Sequence, residues 1–531
     1  MPLISVLLSA ALLGSAASIF EAADAGFDLL VTSAGPATPR TCLRAPGLPA
    51  FVNGSYFVAG PARFELGDYH FQAIFDGYGK MNRFELQGGS ICYTSAWMNT
   101  RIYEKSVKEG RPCASLLFEE TKPSRPSCGM PMCNVLGPND NNWVNVVPLD
   151  GEALLMTDSP QMLTMDPGSL QIAGAKPWAD DHNSGMGQPM PSWMLGMHAA
   201  VMGSAHPLQI PGTQTWVEVL GEMPEGLGRN WVDVYTFDGS VSAPQRRVKI
   251  GSIQTPDTQY IHSFGVTPKH VVLTFDLQMK VNPLNFDTLL GAIQGDWQGI
   301  HAMDMSGRWQ AFTAEPFFHV HTVNTFENDT GIVMDVGFFR ELPFAKTPQL
   351  DIGLFVNKTA RDANTVRGGV RRLHLHTVGP LTGTATHEDL VPPGRSVDFY
   401  QINPDYRGLP YCIYYAVEWW HDDVTFASMG ILKHNICKGT RTYWSRSDVY
   451  PGEPFFVGGG GAAAAEDDGV VVFVALDGRN RGSLFVTLDG RTMDEVSVVG
   501  LPGGHIPFTA HGNFIPSRAV GHTVSPSDIL V

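Results

Sequence analysis

Residues 317–327 read FFHVHTVNTFE. Aromatic and β-branched residues of this density favour a β-strand. Alternate residues of a strand face the same side, so His319 and His321 project together. The same spacing recurs at His374 and His376 in RRLHLHTV, so the pair alone does not mark a site. A strand histidine is more often a hydrogen-bonded core or rim residue than a metal ligand.

Similar runs lie on either side. KHVVLTFDLQM, TGIVMDVGFF, QLDIGLFV, GVVVFVAL and GSLFVTLDG are short, rich in Val, Phe and Thr, and bounded by Gly, Pro, Asn or Asp. Long amphipathic helix patterns are scarce, and 57 Gly with 38 Pro supply turns from end to end. The pattern predicts an all-β protein of many short strands, in a propeller or sandwich array. The piece GGGGAAAAEDDG (458–469) reads as a loop between two strands rather than a domain linker, and no Pro/Ser-rich boundary splits the chain.

A chain of 531 residues with 43% hydrophobic content buries a large core. Its net charge of −16 argues against a nucleic-acid partner, because no Lys/Arg stripe is present to replace phosphate counterions. Residues 1–18, MPLISVLLSAALLGSAAS, have the length and small-residue end of a signal peptide, although no Lys or Arg precedes the apolar run. The alternatives are an uncleaved membrane anchor or a plastid leader; residues 19–531 then form one domain. No later segment is apolar for long enough to span a bilayer. Of seven cysteines, Cys113, Cys128 and Cys133 cluster in a loop-like stretch that suits a disulfide if the chain is exported. Sequons fall at Asn53, Asn328 and Asn357.

Four histidines share a setting beside strand-like sequence: His206 in GSAHPL, His262 in QYIHSFG, His321 in HVHTVN and His511 in TAHGNF. The first intervals are 262 − 206 = 56 and 321 − 262 = 59 residues, a separation that suits one histidine per successive propeller blade. Inner strands of a propeller converge on one axis, so residues distant in sequence can meet around one ion.

The segments YIHSFGVTPKHVV, FHVHTVNTFEND, FYQINPDY, PGEPFFV, EDDGVVV and IPFTAHGNF resemble those of the carotenoid cleavage oxygenases. They are most similar to the animal-type branch of β-carotene oxygenases and the retinal pigment epithelium isomerohydrolase. NGSYFVAGPARFELGD, FDGYGKMNRF and VNVVPLDGEALLMTD extend the resemblance over about residues 50–516. It implies a seven-bladed β-propeller with loops capping its top face, and Fe(II) on the axis held by His206, His262, His321 and His511. The HxxN register selects His321 over His319. Imidazole suits iron, and four neutral ligands leave positions open for O₂ or water.

The family also places glutamates that accept the other ring N–H of three ligands, orienting them. Glu453 in PGEPFFV matches, whereas Asp158 and Asp398 stand where glutamate is usual. Aspartate is one methylene shorter, about 1.5 Å of reach. These two bonds are therefore expected to be longer, water-bridged or rebuilt by a backbone shift.

The resemblance further suggests Tyr260 as a substrate contact. Leu116, Leu117 and Phe118, or the stretch 191–202, are membrane-insertion candidates, with buried loop or helix as the alternative. The implied activity is cleavage of a carotenoid or apocarotenoid double bond with O₂, on peripheral contact with membranes and with no protein partner evident. Its alternatives are a retinoid isomerohydrolase, cleavage of other alkenes such as stilbenes, and a non-catalytic carotenoid-binding propeller. The leader implies the secretory pathway, endomembrane lumen or plastid.

Overall fold

The structure is a computed structural model that describes residues 24–113, 118, 140–149, 151–176, 178, 199–223, 230–239, 246–279, 293–342, 350–460 and 465–517. The leader and residues 191–198 lie outside them, as do Leu116, Leu117, Cys128 and Cys133.

The described strands form seven antiparallel sheets of four or five strands and one small hairpin, Glu65–Leu66 with Tyr69–His70. Successive sheets are successive blades of a seven-bladed β-propeller. Blade 1 is Thr41–Arg44, Ser90–Trp97, Tyr78–Gln87, Gly54–Arg63 and Gly512–Pro516, in that spatial order. Blades 2 to 7 follow over 145–175, 199–255, 258–312, 318–391, 397–444 and 449–500. Blade 1 therefore closes the ring by pairing Gly54–Val58 with Gly512–Pro516 near the other end of the chain. This closure buries two sheet edges that would otherwise be open.

The innermost strands pack against one another around the axis: Gly512–Pro516 on Asn145–Leu149, Gly265–Val266 on Phe318–Asn328, and Phe318–Asn328 on Val397–Ile402. The middle strands are buried on both faces, as in Gly331–Phe339, where every residue but the last is buried. Burial on both sides is why these strands read as continuous apolar runs instead of alternating ones. The apolar core is divided into wedges between neighbouring blades. One joins Val217 and Val232 of blade 3 to Val271 and Leu273 of blade 4. Another joins Val333 and Val370 of blade 5 to Val397 and Tyr414 of blade 6.

Among the described residues, two disulfides fasten the sheets. Cys42–Cys92 bridges directly paired residues of blade 1, and Cys412–Cys437 ties the ends of a hairpin in blade 6. Neither pairing was anticipated from the sequence, which pointed to the Cys113 cluster; Cys113 is free, its thiol directed at the Ile102 carbonyl. Cys42–Cys92 closes a separation of 50 residues, a loop whose entropy is about 4 kcal/mol. The Cys42→Ser/Cys92→Ser variant is expected to melt several degrees lower, measured by calorimetry, with the propeller still formed.

Candidate metal centre

All seven blades send one side chain to the top of the axis. His206 follows the strand Ala199–Gly203, His262 lies between two short inner strands of blade 4, His321 lies within Phe318–Asn328, and His511 directly precedes Gly512–Pro516. Blades 2, 6 and 7 supply Asp158, Asp398 and Glu453. The ligand-capable nitrogens of the four histidines all lie within 4.8 Å of one another. Nε2 of His262 is 3.0 Å from that of His206 and 3.1 Å from that of His321, which is 3.1 Å from that of His511.

This spacing fits a shared ion. Two nitrogens ~2.1 Å from one metal are ~3.0 Å apart when they subtend 90°, and ~3.4 Å apart at the tetrahedral angle. The three short edges fall in the range that imidazole nitrogens sharing one ion would show. Burial first, and then the neighbouring imidazoles and Arg407, hold His206 well below the usual histidine range, leaving it neutral with a free lone pair.

Three of the rings are oriented through Nδ1. Asp158 Oδ1 lies 2.8 Å from His262, Asp398 Oδ1 2.7 Å from His321, and Glu453 Oε1 2.9 Å from His511. Such partners fix the tautomer that leaves Nε2 free toward the axis. Among the described residues no carboxylate reaches His206.

The expectation of lengthened or water-bridged aspartate contacts is corrected: both are direct. At Asp398 the backbone beside the contact is irregular. The strand carries a bulge between Asp398 and Gln401, and Phe399 adopts φ 57°, the left-handed region. That conformation costs a non-glycine residue about 1–2 kcal/mol. It lets Asp398 Oδ1 also accept the Phe399 N–H at 2.9 Å and sets the Phe399 ring 5.6 Å from His321 and 5.3 Å from His511. Burial would raise the Asp398 carboxyl, but the charge and hydrogen bond of His321 outweigh it and hold it below the usual carboxylate range.

Tyr260 has a role that its position in the sequence did not reveal. Its hydroxyl donates to Asp158 Oδ2 at 2.8 Å while Asp158 Oδ1 holds His262, and its ring stacks on that histidine. Burial, then Asp158, push its phenol well above the ordinary range, so it stays a donor. Tyr260→Phe keeps the ring but removes this donor. It is expected to weaken metal retention about three- to tenfold, measured by competition with a chelator.

His319 is turned away. It meets Thr274 Oγ1 at 2.9 Å through Nδ1, and its backbone N–H donates to Asp276 at 2.9 Å. Irregular pairing between His319 and Thr322 separates the environments of the two histidines. His374 faces Glu388 and His376 bonds Thr386 on the outer strands of blade 5.

Hydroxyls beside the histidines stitch one blade to the next, a feature not read from the sequence. Ser204 Oγ donates to the His262 carbonyl and Ser263 Oγ to the Val320 carbonyl, each at 2.7 Å, and the Thr322 N–H donates back to Ser263 at 2.9 Å. The asparagine of HxxN, Asn324, clamps the loop at Tyr406–Leu409 of the next blade. The visible signal was a Ser or Thr within two residues of His206, His262 and His321.

A cavity opens over His262, His321 and His511, walled by aromatic residues including Phe75, Trp143, Phe399, Trp419 and Phe508. Phe118, a membrane-insertion candidate, instead lines this cavity and packs against Phe75 with ring centroids 5.5 Å apart. Of the second candidate stretch, Ala199–Met202 belongs to a strand of blade 3.

The family model for retinal pigment epithelial membrane protein, RPE65, matches residues 36–516. The carotenoid isomerooxygenase of Galleria mellonella is 23% identical, covering 89% of this chain and 92% of its own. The chloroplastic carotenoid cleavage dioxygenase 8 of Arabidopsis thaliana is 25% identical, covering 88% of this chain and 82% of its own. Cobalt-substituted Synechocystis apocarotenoid oxygenase has the same fold, with TM-score 0.74 at 21% identity, over 92% of this chain and 99% of that one. With the match running through all seven blades, this chain belongs to the RPE65 and carotenoid oxygenase family.

Proposed function

We propose that the protein is an Fe(II)-dependent oxygenase that cleaves a double bond of a carotenoid or apocarotenoid with O₂, giving aldehyde or ketone products. The observation that carries this reading is four imidazoles whose ligand nitrogens lie within 4.8 Å of one another, three of them lining an aromatic-walled cavity. His206, His262, His321 and His511 would hold the iron, a metal that imidazole suits. Bound there, it supplies the activation of O₂ that a closed-shell polyene requires. Asp158, Asp398 and Glu453 hold three rings in place, and the aromatic wall seats the polyene and keeps water out.

The test is metal analysis of purified protein with carotenoid turnover followed by loss of visible absorbance and by product mass. An iron-free protein that stays inactive after reconstitution would refute the reading. Retinoid isomerohydrolase chemistry, the alternative within this family, would persist under anaerobic conditions, whereas oxygenase turnover stops.

The leader and the disulfides Cys42–Cys92 and Cys412–Cys437 support an oxidising compartment. Among the described residues no helix is long and apolar enough to cross a membrane. Leu116 and Leu117 remain the proposed contacts for peripheral binding to a bilayer, the phase in which carotenoids reside. Flotation with liposomes, lost in Leu116→Ser/Leu117→Ser, tests this.

A further inference from the structure

Of the three sequons, one falls on a turn that presents it to solvent. Phe318–Asn328 and Gly331–Phe339 form a hairpin of blade 5 in which Asn328 pairs with Gly331, so Asp329 and Thr330 make a two-residue loop. Asn328, Asp329 and Thr330 are all exposed. Asn328 Oδ1 accepts three hydrogen bonds: from Thr330 N–H at 2.9 Å, from Thr330 Oγ1 at 2.8 Å and from Gly331 N–H at 3.0 Å. The side chain thus closes an Asx turn, to which the hydroxyl of the sequon itself adds a bond. The carboxamide is held by its oxygen, and among the described residues its Nδ2 donates to no partner.

The other two sequons differ. Asn53 accepts from Ser517, 464 residues along the chain, and Ser55 is buried in a strand paired on both sides. Asn357 caps the helix Lys358–Asn364 by accepting from Ala360 N–H at 3.1 Å, and it stands two residues beyond Phe355, which lines the cavity. Among the described residues, Asn328 is the one sequon asparagine that accepts from the hydroxyl of its own sequon. Its place in the blade also suits a bulky group. The hairpin presents Val320 and His321 on its outward strand and Phe339 on its return to the cavity. Asn328 lies 328 − 321 = 7 residues beyond His321, about 20 Å along the strand. A glycan at this opposite end of the hairpin stands clear of the cavity and of the histidine cluster.

We propose that Asn328 is a site of N-linked glycosylation, with Nδ2 as acceptor and, as donor, an oligosaccharide carried on a lipid pyrophosphate in the secretory lumen. Nδ2 loses one proton and bonds to the anomeric carbon; the bond from that carbon to the pyrophosphate oxygen breaks, and the lipid pyrophosphate leaves. The inference rests on the oxidising-compartment reading above and is independent of the oxygenase one. Transfer acts on the chain as it enters the lumen, so structure that forms locally is what counts. The three bonds at Asn328 span at most three residues, and a hairpin closes in about 1–10 μs. The contact of Asn53 with Ser517 waits for the ring to close.

The experiment expresses the chain with its own leader in a eukaryotic host, scores entry into the lumen by protease protection of microsomes, and maps peptides after treatment with peptide N-glycosidase in heavy-oxygen water. Residue 328 is expected to appear as heavy-oxygen-labelled aspartate. The mobility step of one glycan is expected to vanish in Asn328→Gln and in Thr330→Ala, and to persist in Thr330→Ser, Asn53→Gln and Asn357→Gln. A step unmoved by Asn328→Gln overturns the proposal. A lumenal chain with Cys42–Cys92 and Cys412–Cys437 formed but residue 328 bare also overturns it, and leaves the compartment reading standing. A chain that stays outside the lumen with those cysteines reduced overturns both.

Discussion

His321→Ala is expected to yield a folded protein that neither retains iron nor turns over carotenoid, while His319→Ala keeps its iron and loses activity only in part. Nε2 of His321 is the shared neighbour of His262 and His511, at 3.1 Å from each. Removing it deletes two of the three short edges and leaves Asp398 without its imidazole partner. Loss of a mere outer hydrogen-bond partner typically costs 10–100-fold in metal affinity, and loss of the ligand itself should cost more. His319 is satisfied by Thr274 and Asp276 of blade 4. Its truncation leaves buried polar partners unpaired and so lowers stability by about 1–3 kcal/mol. Metal content and melting temperature of the two variants decide the matter; equal loss of iron from both would break the assignment.

Asp398→Ala is expected to weaken iron retention 10–100-fold, and Asp398→Glu is expected not to rescue it fully. The 2.7 Å contact to His321 is made beside the bulge and the left-handed backbone at Phe399. Glutamate adds about 1.5 Å of reach, which this backbone has no use for. The longer side chain must displace the His321 ring or undo the bulge, moving Phe399 from its place over His321 and His511. Chelator competition on the three proteins should rank them wild type, then Glu, then Ala. A glutamate variant that holds iron more tightly than the wild type would show that this backbone does not favour the shorter acid.

The sequence carried the architecture and the histidine set unevenly. Many short strands were legible because buried strands are apolar runs between Gly and Pro turns, although QLDIGLFV, which reads as a strand, forms the helix Ile352–Val356; the count of seven blades came from motifs that run in family order along the chain. Spacing alone left His319, His321, His374 and His376 alike; the HxxN context separated them. Tyr260 could be flagged as an aromatic near His262, but its bond to Asp158 spans 102 residues and has no local signature. The half-cystines of Cys42–Cys92 are 50 residues apart, and what brings them opposite each other is strand register, which no composition signal encodes. Phe118 was open between an insertion residue and a buried loop residue because hydrophobicity does not say which side of a loop faces inward.

What the chain by itself determined is therefore the set of short-range choices: strand or turn, and one ligand-capable histidine beside each of four strand-like runs. Those follow from local propensity and from motifs that sit within a few residues of one another. What only the tertiary structure decided is how seven blades close through Gly512–Pro516, how a short carboxylate beside a bulge meets a histidine 77 residues away, and how Leu30 and Val31 become part of the cavity wall. These depend on distances of a few ångströms between residues that meet only when the ring closes, because contacts at such separation are fixed by packing and register rather than by neighbours in sequence.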